Sequence, residues 1–344
     1  MTFAAAALQA FEGAPLPDTL RRGAVAYLVD AAARRMVGGA DMDTAFAHGM
    51  AARPIAEHTV AANDQHYELP PAFFRQVLGP HLKYSSCLYK PGDDLAAAEA
   101  RALAETCAHA DLQDGQSVLE LGCGWGSLTL WMAAHYPGSQ ITAVSNSHSQ
   151  RAFIEGEAQA RGLSNVRVVT QDMNEFSASQ TYDRVVSVEM FEHMANWRGL
   201  LSRVHEWVRP DGRVFIHVFT HRTTPYRFDV EDKTDWIAQH FFTGGVMPSH
   251  GLMRQFGDLF AVEQDWRWSG AHYQRTAEAW LANYDRNADA IWPLLVDVYG
   301  RDARLWSRRW RLFFLATSGL FGHAGGAEWG VSHYRLKPVV EARR

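Results

Sequence analysis

From Ser117 onward the chain alternates short apolar runs with amphipathic stretches, so a period near two gives way repeatedly to a period near 3.6. The runs at 117–122, 140–146, 166–171, 183–189 and 212–219 read as strands, and the stretches near 127–136, 148–162 and 197–208 as helices. Val118, Leu119 and Leu121, and later Val185, Val186 and Val188, have the near-continuous apolar character of strands buried on both faces. Five strands separated by helices predict a doubly wound α/β sheet with parallel strands. Arg209-Pro210-Asp211-Gly212 reads as a turn before the fifth strand. Two later runs, 260–269 and 331–337, are expected to return to the sheet as an antiparallel edge hairpin, making seven strands.

Around this core the pattern turns helical. In residues 1–60, Leu20, Val25, Leu28, Val29 and Ala32 recur mostly at three- and four-residue steps, with Pro15, Pro17 and Pro54 as punctuation. Asp94 to Ala110 is helical by composition, and 221–258 and 274–328 read as helices covering the carboxyl end of the sheet. The expected organisation is an N-terminal helical segment (1–95), a sheet core (96–220) and a helical cover (221–344) that contributes the last two strands.

The most informative stretch is Glu120-Leu121-Gly122-Cys123-Gly124-Trp125-Gly126, directly behind the first strand and ahead of a helix. Glycines there admit a ligand to the main chain, and the following helix N-terminus presents backbone N–H groups. The order Gly-x-Gly-x-Gly differs from a dinucleotide fingerprint, and no Lys-Ser/Thr follows as a P-loop requires. The second strand ends in Asn146-Ser147-His148-Ser149-Gln150, without the acid that would hold the ribose of NAD.

Composition narrows the partners. The 344 residues are 47% hydrophobic and 21% charged, with net charge −5 and no long basic run, which excludes nucleic acid as the expected partner. Cys87, Cys107 and Cys123 are scattered, without Cys-x-x-Cys spacing, so neither a disulfide framework nor a structural metal site is expected. No apolar run reaches 18 residues and no positive region precedes the Ala-rich N-terminus, so neither a transmembrane segment nor a signal peptide is expected, and the location is read as cytoplasmic. Twelve Trp and 18 Phe are many, and eight of the Trp fall in the last third, which suggests an aromatic pocket there.

Ligands of open α/β sheets bind outside the carboxyl ends of the strands. After the third strand come Asp172 and Met173, suited to an adenine amino group and ring; Asp172 is alternatively a helix cap. After the fourth come Glu189, Glu192 and His193, two carboxylates and an imidazole emerging from an apolar strand, where desolvation and mutual proximity shift pKa values toward neutrality. The fifth strand carries His217, either a buried hydrogen-bonded histidine or a site residue, and Tyr273 follows in Gly270-Ala271-His272-Tyr273.

These motifs, with His66-Tyr67-Glu68-Leu69-Pro70, Leu82-Lys83-Tyr84-Ser85, Phe241 to Ser249 and Gly326-Ala327-Glu328-Trp329, resemble the cyclopropane-fatty-acid synthase-like methyltransferases over about residues 60–338. Within that family they are most similar to the branch of coclaurine N-methyltransferase and other benzylisoquinoline alkaloid N-methyltransferases. The resemblance implies the class I fold of enzymes that use S-adenosyl-L-methionine (SAM) and release S-adenosyl-L-homocysteine (SAH), with the N-terminal segment closing over the cofactor. It implies SAM contacts from Tyr84, Ser85, Glu120, Gly122, Gly124, Gly126, Asp172 and Met173, with Ser147 and Gln150 replacing the missing ribose acid. Glu192 and His193 match the pair that handles the substrate amine, with Glu189 and Glu68 as supporting acids. His217, Tyr273, Phe241 and Trp329 are expected to border the substrate, and Trp236, Phe242 and Trp306 are further aromatic candidates. The family also implies a possible homodimer.

One departure bears on the acceptor. The lipid-modifying relatives carry Cys directly after Tyr-Ser, where it helps hold a bicarbonate; here Ser86 takes that place and Cys87 follows. Together with Glu68 after His-Tyr, this favours methyl transfer to a small amine over cyclopropanation or C-methylation of an unsaturated acyl chain, while a serine still leaves anion binding open. A third reading is a SAM-binding protein without catalysis, which has no use for an acid–histidine pair.

Overall fold

Parallel strands bury both faces, and the apolar runs of this chain are spent on that. In the computed structural model, which describes residues 12, 14, 16–36, 39, 41–57, 69–232 and 235–340, they form one seven-stranded sheet. The strands are β1 (Ser117–Leu121), β2 (Gln140–Ser145), β3 (Val166–Thr170), β4 (Tyr182–Val188), β5 (Val208–His221), β8 (Phe260–Ser269) and β9 (Trp329–Pro338). Their order is β3-β2-β1-β4-β5-β9-β8, parallel through β5, with β9 antiparallel to both β5 and β8. This is the predicted architecture. The strand order reverses between β1 and β4, and that switch point opens the crevice where α/β sheets bind ligands.

Helices Ser127–His135, His148–Ala160 and Trp197–Trp207 fill the crossovers. Trp197, Leu200, Leu201 and Val204 of the last are buried on one face against the sheet. The residues expected to turn at Arg209–Gly212 are instead an excursion within β5, which pairs Val208 with Tyr182 and resumes with Arg213 opposite Arg184. A Cβ on Gly212 would stand 2.9 Å from the Asp183 carbonyl oxygen, so the loop hugs the neighbouring strand closely enough to stay in the ladder.

The stretch 221–258, expected to be helical, is mostly not. It holds a two-stranded ribbon, β6 (Tyr226–Arg227) with β7 (Val246–Met247), one short helix, Trp236–His240, and a 3₁₀ turn at Leu252–Phe256. Pro225, Gly244-Gly245 and Pro248 interrupt it, and these residues cannot sustain a long helix. Beyond it, helices Gly270–Arg286, Ala288–Tyr299 and Ala303–Gly322 do form the cover. In the N-terminal segment, helices Asp18–Arg35 and Met42–Met50 are present. Only part of the expected apolar stripe is buried: Val25 packs into the cover, whereas Leu20 and Leu28 are exposed. Gly319 lets the first helix approach; a Cβ there would lie 2.3 Å from Val25 Cγ1.

Candidate active site

At the carboxyl end of β1 the chain must reverse into a helix within five residues, and three glycines with φ of +78°, +50° and +78° (Gly122, Gly124, Gly126) make that possible. Two are also packing positions: a Cβ would lie 2.5 Å from Met190 Cγ at Gly122 and 2.6 Å from Ile154 Cγ1 at Gly126. Gly124 differs, because a Cβ there meets no heavy atom within 4 Å and faces open space. That space is a cavity lined by Tyr84, Ser85, Glu120, Gly122, Gly124, Gln150, Asp172 and Met173 on one side, and by Glu189, His193, Phe242 and Tyr273 on the other.

The first side carries unmet polar capacity. Gln150 Nε2 and Ser127 Oγ are buried without a hydrogen-bond partner among the described residues, and both residues line the cavity. Groups of this kind are costly unless a ligand or water satisfies them. Glu120 is buried and accepts a hydrogen bond of 2.5 Å from Thr129 Oγ1. Burial pushes its carboxyl up to about 7, against which the Thr129 bond works. A buried carboxylate, orphaned donors and an exposed main-chain hollow fit a ligand with an ammonium group and several acceptors, as SAM is.

The second side is an acid cluster at the end of β4. Glu189 adopts a left-handed φ of +46°, rare for a residue with a Cβ. Its Oε1 accepts from the Ser86 N–H at 2.9 Å and lies 3.1 Å from His217 Nε2; its Oε2 accepts from the Tyr273 hydroxyl at 2.7 Å. Burial raises its pKa, while the nearby Lys83 ammonium and these hydrogen bonds favour the charged form. Glu192, fully buried, accepts from the Phe219 N–H at 2.8 Å through Oε1. Burial, and then the charge of Glu189, push its carboxyl well above the ordinary range. His193 stacks on Phe242, with ring centroids 4.3 Å apart. Among the described residues no group of three or more His, Cys, Asp or Glu is arranged to hold a metal ion, and no helix is long and apolar enough to cross a membrane.

Residues 56–323 match the protein family described as mycolic acid cyclopropane synthetase. The chain belongs to this family. As a member it is a SAM-dependent methyltransferase with the class I fold. It is 39% identical over 296 residues to an (S)-coclaurine N-methyltransferase of Thalictrum flavum subsp. glaucum, covering 84% of this chain and 82% of that one. It is 30% identical over 259 residues to a cyclopropane-fatty-acyl-phospholipid synthase of Escherichia coli (strain K12), covering 75% of this chain and 63% of that one. A crystal structure of coclaurine N-methyltransferase bound to N-methylheliamine and SAH superposes with a TM-score of 0.92 at 34% identity, covering 96% of this chain and 98% of that one.

In this methyltransferase not every residue singled out from the sequence reaches the cavity. Ser147 caps the helix His148–Ala160, its hydroxyl accepting from the Gln150 N–H at 3.3 Å, and its neighbour Asn146 lines the cavity instead. Gly126 shapes the turn against Ile154 without facing the cavity. Asp172 does both things weighed for it: it lines the cavity and accepts from the Asn174 N–H at 2.7 Å. Glu192 stands behind the wall rather than in it. His217 is sealed in the sheet and touches the cavity only through Glu189.

The aromatic expectations are corrected in a specific way. Phe241 is fully buried, stacked on Phe313 at 4.5 Å, and Trp329 is fully buried with its indole N–H donating to the Tyr226 hydroxyl at 3.2 Å. Phe242, one residue on, and Phe313 line the cavity in their place. Trp236 and Trp306 likewise pack against Phe241 in the cover. Glu68, with His66 and Tyr67, lies outside the described residues. Lys83 is an addition that the sequence pattern did not single out as chemistry: fully buried, it donates to Ser85 Oγ and to the Ser86 carbonyl, both at 2.6 Å, and so fixes the segment that presents Ser86 to Glu189.

Proposed function

We propose that this methyltransferase transfers the methyl of SAM to a small secondary or tertiary amine on an apolar or aromatic framework, in the cytoplasm. The observation that carries the reading is a single cavity joining the glycine hollow to an acid–histidine wall. Bound in the hollow, SAM supplies a methyl already activated on a sulfonium. Glu120 would face its ammonium end, Asn146 and Gln150 its ribose, and Asp172 and Met173 its adenine. The remaining work falls to the protein: to strip a proton from the amine, hold the resulting cation and keep water out.

Of the two acids, Glu189 is suited to be the ionised one, since Ser86 N–H, Tyr273 OH and Lys83 all favour its charge. Glu192, held un-ionised by burial and by that charge, keeps the second negative charge out of the wall. His193, positioned by Phe242, faces the acceptor from the cavity wall. Support for an amine over a lipid comes from Ser86, whose N–H is already taken by the carboxylate of Glu189. The test is incubation with methyl-labelled SAM and, in parallel, 1,2,3,4-tetrahydroisoquinoline or vesicles of unsaturated phospholipid. Label in the amine is expected; label only in the lipid overturns the reading.

A further inference from the structure

Two glycines stand side by side in the turn that follows Phe242, and the backbone explains only one of them. The Gly245 N–H donates to the Phe242 carbonyl at 3.2 Å, so residues 242–245 form a tight turn. Gly244, its third residue, has φ +74°, the left-handed region that such a reversal demands. Gly245 has no left-handed angle, and its carbonyl accepts from the Phe228 N–H at 3.1 Å as the chain enters β7. The backbone there allows a side chain; what excludes one is space. A Cβ on Gly245 would overlap Cδ1 of Phe242, stand 2.5 Å from its Cε1 and lie 3.2 Å from the Glu192 carbonyl oxygen.

The ring seated on this glycine stands where an acceptor must pass. Phe242 lines the cavity and stacks on His193, with centroids 4.3 Å and planes 27° apart. Phe228, behind the cavity lining, packs against it at 4.9 Å, and Phe219 at 5.3 Å. The ring is thus held on three sides, and Gly245 borders the fourth. A methyl on residue 245 leaves the ring one way to go, into the cavity beside His193. The acceptor nitrogen has to reach His193, so the framework that carries it competes with Phe242 for that space.

We propose that Gly245 is a specificity-determining residue: the bare seat it gives the Phe242 ring keeps open the part of the cavity that takes an aromatic ring fused to the acceptor amine. The inference rests on the amine reading above and narrows it to amines built on a flat ring system. Such a ring buries its face beside Phe242, where offset and edge-on aromatic pairs are favourable, while its nitrogen meets His193. An amine without the flat ring draws nothing from the space that Gly245 preserves. The glycines of the cofactor hollow lie on the other side of the cavity, so residue 245 acts on the acceptor framework and leaves the methyl donor alone.

The test uses the full-length enzyme with SAM and compares 1,2,3,4-tetrahydroisoquinoline with piperidine, the same cyclic secondary amine without the fused benzene ring. In Gly245→Ala, kcat/KM for tetrahydroisoquinoline should fall about tenfold or more relative to piperidine, with SAH affinity within about twofold of wild type. In a Phe242→Ala background the same substitution should leave that ratio within about twofold, because the ring that the methyl displaces is gone. A ratio that Gly245→Ala does not move, a ratio lowered equally in both backgrounds, or a matching loss of SAH affinity overturns the assignment. Should Gly245→Ala not fold, Phe242→Trp, a larger ring on the unaltered seat, is expected to lower the same ratio, and an unchanged ratio overturns it. A readout independent of turnover is the crystal structure of Gly245→Ala with SAH, in which the Phe242 ring should stand in the cavity. A ring in its wild-type place, or one moved away from the cavity, overturns the proposal. If the wild-type enzyme methylates neither amine, the amine reading falls, and that structure still decides the seat.

Discussion

Replacing Glu120 with glutamine tests whether a buried carboxyl is kept in the core for the ligand's sake. Ionising Glu120 in the folded protein requires raising the pH through about 7, against an ordinary 4.5. Between these values the folded state holds a proton that the unfolded chain has lost, so stability falls as pH rises through that window and levels off above it. At about 1.4 kcal/mol per pH unit, the ionised carboxylate costs the ligand-free protein roughly 3 kcal/mol above neutrality. The amide of Glu120→Gln has no charge to desolvate, and the Thr129 hydroxyl can still bond to it. Denaturant unfolding of the ligand-free proteins should therefore show equal stability near pH 4 and a variant more stable by about 2–3 kcal/mol at pH 8.5. Affinity for SAH should move the other way. Loss of a charged hydrogen bond to the ammonium weakens binding about 10- to 100-fold, and wild-type binding should tighten as pH rises toward 8 while that of the variant stays flat. A variant as unstable as wild type at pH 8.5, or one that binds SAH equally well, would refute the argument.

Three further outcomes follow from the same geometry. Ser147→Ala should lower stability by about 1 kcal/mol through loss of the helix cap while leaving SAH affinity within about twofold, as isothermal titration can check; a cofactor ligand would behave oppositely. Gly126→Ala must strain a φ of +78° and drive a methyl into Ile154, so unfolding should show a loss of about 2 kcal/mol or more. His193→Ala should cut methyl transfer by about 10²- to 10⁴-fold with SAH affinity retained, and unchanged turnover would remove the imidazole from the assignment.

What the chain revealed before folding was what depends on neighbours in sequence. Strands β1 to β4 lie within a residue or so of the expected runs, since each is a local apolar segment bounded by turn chemistry. The glycine turn was legible for the same reason. Partners that depend on the far side of the molecule were not. Phe241 and Phe242 are indistinguishable by composition, and which of them meets the cavity is decided by how the helix Ala303–Gly322 packs on the sheet. The stretch 221–258 has apolar content suggestive of helices, yet its glycines and prolines, together with pairing to β5 through Ser249 and to itself through β6 and β7, take it elsewhere. His109 and His333 are 224 residues apart, and no periodicity joins them.

Glu189 shows why local rules fail at such a site. A residue with a Cβ at φ +46° costs of order 1 kcal/mol or more, and a glycine would relieve it. A carboxylate tolerates the position because Ser86 N–H and Tyr273 OH donate to it and Lys83 lies close, while His217 offers a ring nitrogen to the same oxygen as Ser86. Strain of this kind persists only where the surroundings over-determine the conformation, and here they converge on one charge. The same carboxylate raises the pKa of Glu192 behind it and lies 3.1 Å from His217 Nε2. One unfavourable backbone angle thereby sets the state of the second acid.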